Sequence, residues 1–192
     1  MRVMIIRHGK VLHEWKKWCT SAEFDEQCAL YDKAPIDKAS VDTVNDDIQK
    51  IYISELDRTL QTAEKIFGEE DFNRTALLNE VPLHSGFDIA IRLPLGVWNF
   101  LGRLQWLIGN KRQPEGRKQT SKRAEQFVNM IIKHNEDCAI VTHGFFMHTL
   151  IRIMKNAGFK ADKELVNYRN GEVILPPASD AKDWLIGSTS AD

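Results

Sequence analysis

The sequence predicts an α/β protein with a mostly parallel central sheet and helices on both faces, a three-layer sandwich. Two observations carry this prediction. Short apolar runs alternate along the chain with segments of helical period, the pattern of parallel strands joined by crossover helices. Two of those runs, Val3–Ile6 and Ala139–Val141, lead directly into Arg7-His8-Gly9 and Thr142-His143-Gly144. Open α/β sheets bind ligands outside the carboxyl ends of their strands. Two histidines delivered to that edge from distant parts of the chain predict one shared site.

The elements follow in order. Arg2–Ile6 is the first strand. Asp37 to Lys50 alternates at helical spacing, with Val41, Val44 and Ile48 on one face. Ile51–Ser54 is the second strand. Asp57–Phe67 reads as a helix with Asp57 as N-cap, Leu60, Ala63 and Phe67 inward, and Gly68 past its end. Arg74–Asn79 is the third strand. Gln119–His134 is a long helix with Ala124, Phe127, Val128 and Ile131 on its apolar face. Asp137–Thr142 is the fourth strand, and His143–Asn156 a helix stopped near Gly158. Asn170-Gly171, between Leu165–Arg169 and Glu172–Leu175, predicts a hairpin. Pro176-Pro177 then ends regular structure.

Size and composition bound the function classes. The 192 residues suit one domain with a full hydrophobic core, residues 1–192, carrying an insert at about 81–118. An apolar fraction of 43% and a charged fraction of 28% are those of a globular protein. The net charge of −1 gives no bias toward nucleic acid or an anionic membrane, so neither is an expected partner. The first apolar run is too short for a secretion signal, and no stretch approaches the roughly 20 apolar residues of a spanning helix. Cys19, Cys28 and Cys138 are odd in number and lack metal-type spacing; reduced thiols in a cytoplasmic protein are the simplest reading.

Two further residues stand out. Arg58 lies in the first turn of the Asp57–Phe67 helix, where a cation faces the positive end of the dipole. A bound anion would remove that conflict, and breaks of local rules concentrate at functional sites. The competing reading is a solvated surface arginine. Glu80 ends the third strand among Leu77, Leu78, Val81 and Leu83. Desolvation there would raise its pKa, as a general acid near neutral pH needs. The competing reading is an exposed strand-end carboxylate.

Together, Arg7-His8-Gly9, the segment Ser54 to Ala63 with Arg58, then Glu80, and Thr142-His143-Gly144 resemble the histidine phosphatase superfamily, the phosphoglycerate-mutase-like fold. The resemblance spans roughly Met1–Gly158. It implies a phosphomonoester hydrolase acting through a phosphohistidine. His8 would be the nucleophile and Glu80 the acid and later the base. Arg7, Arg58 and a protonated His143 would hold the phosphoryl group, with Gly144 in the phosphate-binding set; Lys10, outside the family pattern, either adds charge there or is simply exposed. No metal and no cofactor is implied, and the expected partner is a small phosphorylated substrate. The chain departs from the family pattern at Lys10, Val11 and Glu14, where many members carry polar phosphate-binding residues. The characteristic longer inserts of the mutase branch are not recognisable. Two alternatives remain: a cofactor-dependent phosphoglycerate mutase, and a phosphate- or protein-binding member without turnover. If Glu80 is not the acid, Glu14 and Asp57 are the candidates to replace it.

The insert is rich in aromatic and basic residues, with a helix expected from Gly96 to Ile108. Trp98, Trp106 and Arg103 fit three readings: part of the core, a lid that selects the leaving group, or the interface of a homodimer. Trp15 and Trp18 are expected near the same entrance. His13 and His84 are weaker candidates for its mouth. His148 reads as packed or exposed, and His134 as a helix-end residue suited to the dipole.

Overall fold

The computed structural model describes residues 1–41, 48, 50–160 and 173–174 of the chain. Strand β1, Val3–Arg7, opens the fold and is followed by the short strand β2, Trp18–Cys19, and helix α1, Ser21–Lys33. A capping box starts α1. The Thr20 side chain accepts from Glu23 N, and the Glu23 carboxylate accepts from Thr20 N. Next come β3, Lys50–Ile53, α2, Asp57–Phe67, and β4, Asn73–Arg74. The insert holds β5, Leu93–Pro94, and α3, Leu95–Ile108. Then follow α4, Arg117–His134, β6, Cys138–Thr142, α5, Gly144–Asn156, and β7, Val173–Ile174.

The main sheet has the order β4-β3-β6-β1-β7. Its first four strands are mutually parallel, and β7 runs antiparallel on β1. Alternate residues of the central strands feed two cores. Val3, Ile5, Tyr52 and Ile140 face α4 and α5, meeting Phe127, Ile131, Phe146 and Leu150. Met4, Ile6, Ile51, Ile53, Ala139 and Val141 face Ala63 and Ile66 of α2, with Val11, Ile36 and Val41 beside them. Burial on both faces explains why these strands are continuous apolar runs. The expected layers are therefore present.

Several boundaries differ from expectation. The predicted third strand, Arg74–Asn79, is cut short: β4 ends at Arg74, and Ala76–Leu78 form a 3₁₀ turn capped by Thr75. That turn re-aims the chain and brings Glu80 back over the sheet edge. Within the predicted Asp37–Lys50 helix, Lys38–Ser40 form a 3₁₀ turn and Val41 is extended. Val44 and most of the rest of that segment lie outside the described residues. The N-cap of α2 is Leu56 rather than Asp57, which occupies the first helical position. The Leu165–Leu175 hairpin lies outside the described residues apart from β7.

The insert has a small core of its own. Trp98 is fully buried against Cys19 and Phe24, stacks with Phe24, and donates Nε1–H to the Cys19 carbonyl at 2.9 Å. A Cβ at Gly102 would meet Leu83 Cδ1 at 2.5 Å and the His84 carbonyl oxygen at 3.0 Å, so glycine lets α3 lie this close to the 83–84 loop without displacing either. Among the described residues no helix is long and apolar enough to cross a membrane.

Candidate active site

The carboxyl ends of β1 and β6 are adjacent, because Arg7 pairs with Thr142 in register and His8 N donates to Thr142 O at 2.9 Å. His8 and His143 therefore leave neighbouring strands at the same edge, and their rings lie 5.1 Å apart. The third contribution comes from the start of α2, which places Arg58 against His143 and close enough for its charge to act on His8. Its side chain is 0% exposed, which excludes the solvated-arginine reading. Thr62 ties these parts together: its hydroxyl accepts from Gly9 N at 2.9 Å and donates to the Arg58 carbonyl at 2.6 Å.

His8 is 1% exposed. Its Nδ1 lies 2.7 Å from the Gly9 carbonyl, an acceptor, so Nδ1 carries the proton. Nε2 is the unprotonated nitrogen and has no protein partner among the described residues. Burial pushes the ring pKa down to about 3, helped by the charges of Arg58 and Arg7 and opposed by the Gly9 hydrogen bond. His8 is a neutral base with a fixed tautomer at pH 7.

His143 departs from expectation. Arg58 Nε, which can only donate, lies 3.1 Å from His143 Nδ1, so Nδ1 accepts. Nε2 lies 2.8 Å from Ser54 Oγ, which also receives Leu56 N–H and lies 2.9 Å from Thr59 Oγ1. Burial, then Arg58 and His8, hold the ring pKa well below its ordinary value. His143 is thus neutral and spends both nitrogens on the protein. It holds Arg58 instead of presenting a charged donor of its own.

Glu80 also differs. Its expected apolar surroundings are replaced by hydrogen bonds: the carboxylate accepts from Phe145 N at 3.2 Å, Phe146 N at 2.9 Å and Val81 N at 2.9 Å. Two of those donors belong to the first turn of α5, the favourable end of a helix for an anion. Neither alternative acid is placed to replace it. Asp57 is largely exposed and 3.6 Å from Arg74, and Glu14 is exposed outside the cavity.

A cavity of about 990 Å³ opens over this edge. Arg7, Arg58, Glu80 and Gly144 line it; His8 and His143 do not, being covered by their neighbours. A Cβ at Gly144 would come within 2.7 Å of Arg7 Nε, so glycine is what admits the Arg7 guanidinium. Lys10 is exposed and lies outside the cavity lining, so the structure does not bring it to the site. The outer walls carry Trp15 and Tyr31, His84, His148 and, from α3, Leu95, Asn99 and Arg103. Trp18 and His13 do not reach the cavity; His13 packs edge-on against Trp15 and Tyr31.

Sequence reasoning missed α1 altogether, and with it Asp32, whose carboxylate pairs with Arg58 Nη1 at 3.0 Å. Thr20-x-x-Glu23 was the available signal for that helix. Cys28 also reaches the cavity, but burial pushes its thiol up to about 12, so it is no nucleophile at neutral pH. Among the described residues, no group of three or more His, Cys, Asp or Glu side chains is arranged to hold a metal ion.

Comparison with known proteins places the chain in a family and a fold. The histidine phosphatase superfamily (branch 1) family model matches residues 3–175. No curated protein matches the chain. Among solved structures, the α-ribazole phosphatase from Shigella flexneri is similar at 18% identity and TM-score 0.50, covering 79% of this chain and 78% of its own. A protein from Thermus thermophilus is similar at 17% identity and TM-score 0.51, covering 91% and 92%. At these identities the structures establish a shared fold. With the family model spanning most of its length, this chain belongs to the histidine phosphatase superfamily, branch 1.

Proposed function

We propose that the chain is a phosphomonoester hydrolase that works through a phosphohistidine on His8. The observation that carries this reading is the state of His8: neutral, with Nδ1–H fixed on the Gly9 carbonyl, Nε2 unprotonated, and the ring within the influence of the Arg58 charge. An imidazole in this state is an activated nucleophile without deprotonation and without help from a metal. Its lone pair attacks phosphorus, the P–N bond forms, and the bond to the ester oxygen breaks. Arg7 and Arg58 offer planar donors for the charge spread over the phosphoryl oxygens. Glu80 passes a proton to the departing oxygen. In the second step the Glu80 carboxylate takes a proton from water, which attacks phosphorus. The P–N bond then breaks, giving inorganic phosphate and the starting histidine.

The cavity is at the upper end of the range for small-molecule sites, about 300–1,000 Å³. A phosphate group fills a small part of it, and the rest is available to the leaving group. Its wall includes Arg103, held over the Phe145 ring at 3.7 Å and donating to the Val81 carbonyl at 3.2 Å. This favours the insert as a selector of leaving groups. The test is a screen of phosphomonoesters, with acid-labile phosphate trapped on the protein during turnover. Turnover and trapping should both vanish in His8→Ala. A variant that kept most of its activity would remove His8 from the mechanism.

A further inference from the structure

Arg58 is a fully buried cation whose guanidinium is already gripped from two sides. Nε donates to His143 Nδ1 at 3.1 Å, and Nη1 donates to Asp32 Oδ1 at 3.0 Å. The Tyr31 ring lies 5.2 Å from Cζ, on the same turn of α1 as Asp32. Nη2 is buried and has no protein partner among the described residues. A buried charge with an unsatisfied donor is costly unless something completes its shell. Here two nitrogens are held by different elements, and the third is left for a ligand.

We propose that Asp32 is a positioning residue for phosphate binding, holding the Arg58 guanidinium in the plane that presents Nη2 to the phosphoryl oxygens. The proposal rests on reading Arg58 as a phosphate ligand. A guanidinium on a flexible stem, tied at Nε alone, can still pivot about the His143 contact. A second bond at Nη1, from a different helix, removes that freedom. Among the described residues, Asp32 is the one carboxylate in an ion pair with Arg58, so it also supplies the counter-charge that this buried cation needs. The carboxylate is 51% exposed and sits at the cavity wall, so it touches Arg58 without occupying Nη2. Asp32 itself would repel a phosphate dianion. Its value is geometric, which separates it from Arg7 and Arg58.

The experiment compares wild type with Asp32→Ala, Asp32→Asn and Asp32→Glu, and with Asp71→Ala as an exposed control. Each protein is measured for turnover of an aryl phosphate, for inorganic phosphate binding by calorimetry, and for thermal unfolding. Asp32→Ala should raise KM and the phosphate Kd together by about 10- to 100-fold, the effect of losing one charge-assisted contact. The fall in kcat should be smaller. Asp32→Asn, which keeps a hydrogen-bond acceptor without the charge, should lie between, and Asp32→Glu should recover part of the loss. If Asp32→Ala does not fold, the same comparison with Asp32→Asn decides. Unchanged or tighter phosphate binding in a folded variant overturns the proposal, because a mere surface ion pair, or a carboxylate that competes with phosphate, behaves so. Weakened binding in Asp32→Ala alongside full turnover in His8→Ala would keep this inference and discard the phosphohistidine reading. Failure of wild type to bind phosphate would discard both.

Discussion

The sheet edge and the insert are two ways of placing a side chain. At the edge, His8 and His143 follow strands buried on both faces, and their backbones are locked by the β1–β6 register and the His8 N to Thr142 O bond. The insert rests on a small satellite core of Trp98, Phe24 and Cys19, and α3 leaves Val97, Phe100, Leu104, Leu107 and Ile108 exposed along its outer face. Chemistry that tolerates little displacement sits on the first. In the proposed function, contacts that distinguish one leaving group from another fall to the second, where changes in shape leave the sheet untouched. The difference also separates Trp98 from Arg103. Both lie on α3, yet Trp98 is core and Arg103 is cavity wall.

Four measurements break or sharpen that contrast. Largest is His8→Ala, expected to lower turnover by about 10³-fold or more while leaving the thermal midpoint close to wild type, since the strand backbone holds the edge. Next is Glu80→Gln, expected to cost about 10²–10⁴-fold on alkyl phosphates and much less on activated aryl phosphates. Equal losses across leaving groups would remove Glu80 as the acid. In the insert, Trp98→Ala should cost about 3–5 kcal/mol of stability, as a fully buried tryptophan does. Chemical denaturation reads this directly, and a native-like midpoint would mean the satellite core is dispensable. Smallest is Arg103→Gln, expected to change the ratio of kcat/KM between a bulky ester and a small aryl phosphate by about 10-fold with little change in stability.

The histidines add a dependence on pH that belongs to the edge alone. His8 is held neutral down to about pH 3, and His143 is held neutral well below its ordinary range, chiefly by burial. The unfolded chain takes up those protons near pH 6.5. Between about pH 3 and 6.5 the unfolded state therefore binds more protons, and stability falls as the pH falls. In His8→Ala the slope of unfolding free energy against pH in that window should flatten by up to one proton. A slope identical to wild type would mean His8 is protonated in the folded state.

Much of this was legible before folding. Runs such as Val3–Ile6 and Ala139–Val141 are apolar throughout because both sheet faces are covered, so strand ends, and the histidines on them, can be read from local pattern. Arg58 was marked by its conflict with the start of its own helix. What local pattern does not contain is the partner across space. The carboxylate answering Arg58 is Asp32, from a helix sequence reasoning did not find. The donors to Glu80 are backbone N–H groups of α5, brought there by a 3₁₀ turn where a strand was expected. The charge state of His143 follows from its burial and from an arginine donor 85 residues away along the chain. Residue types and their order determined which groups reach the sheet edge, because period and burial are local. Which nitrogen carries a proton, and which donor stays open for a ligand, was decided by tertiary structure, because hydrogen bonds and desolvation depend on neighbours that only the fold brings together.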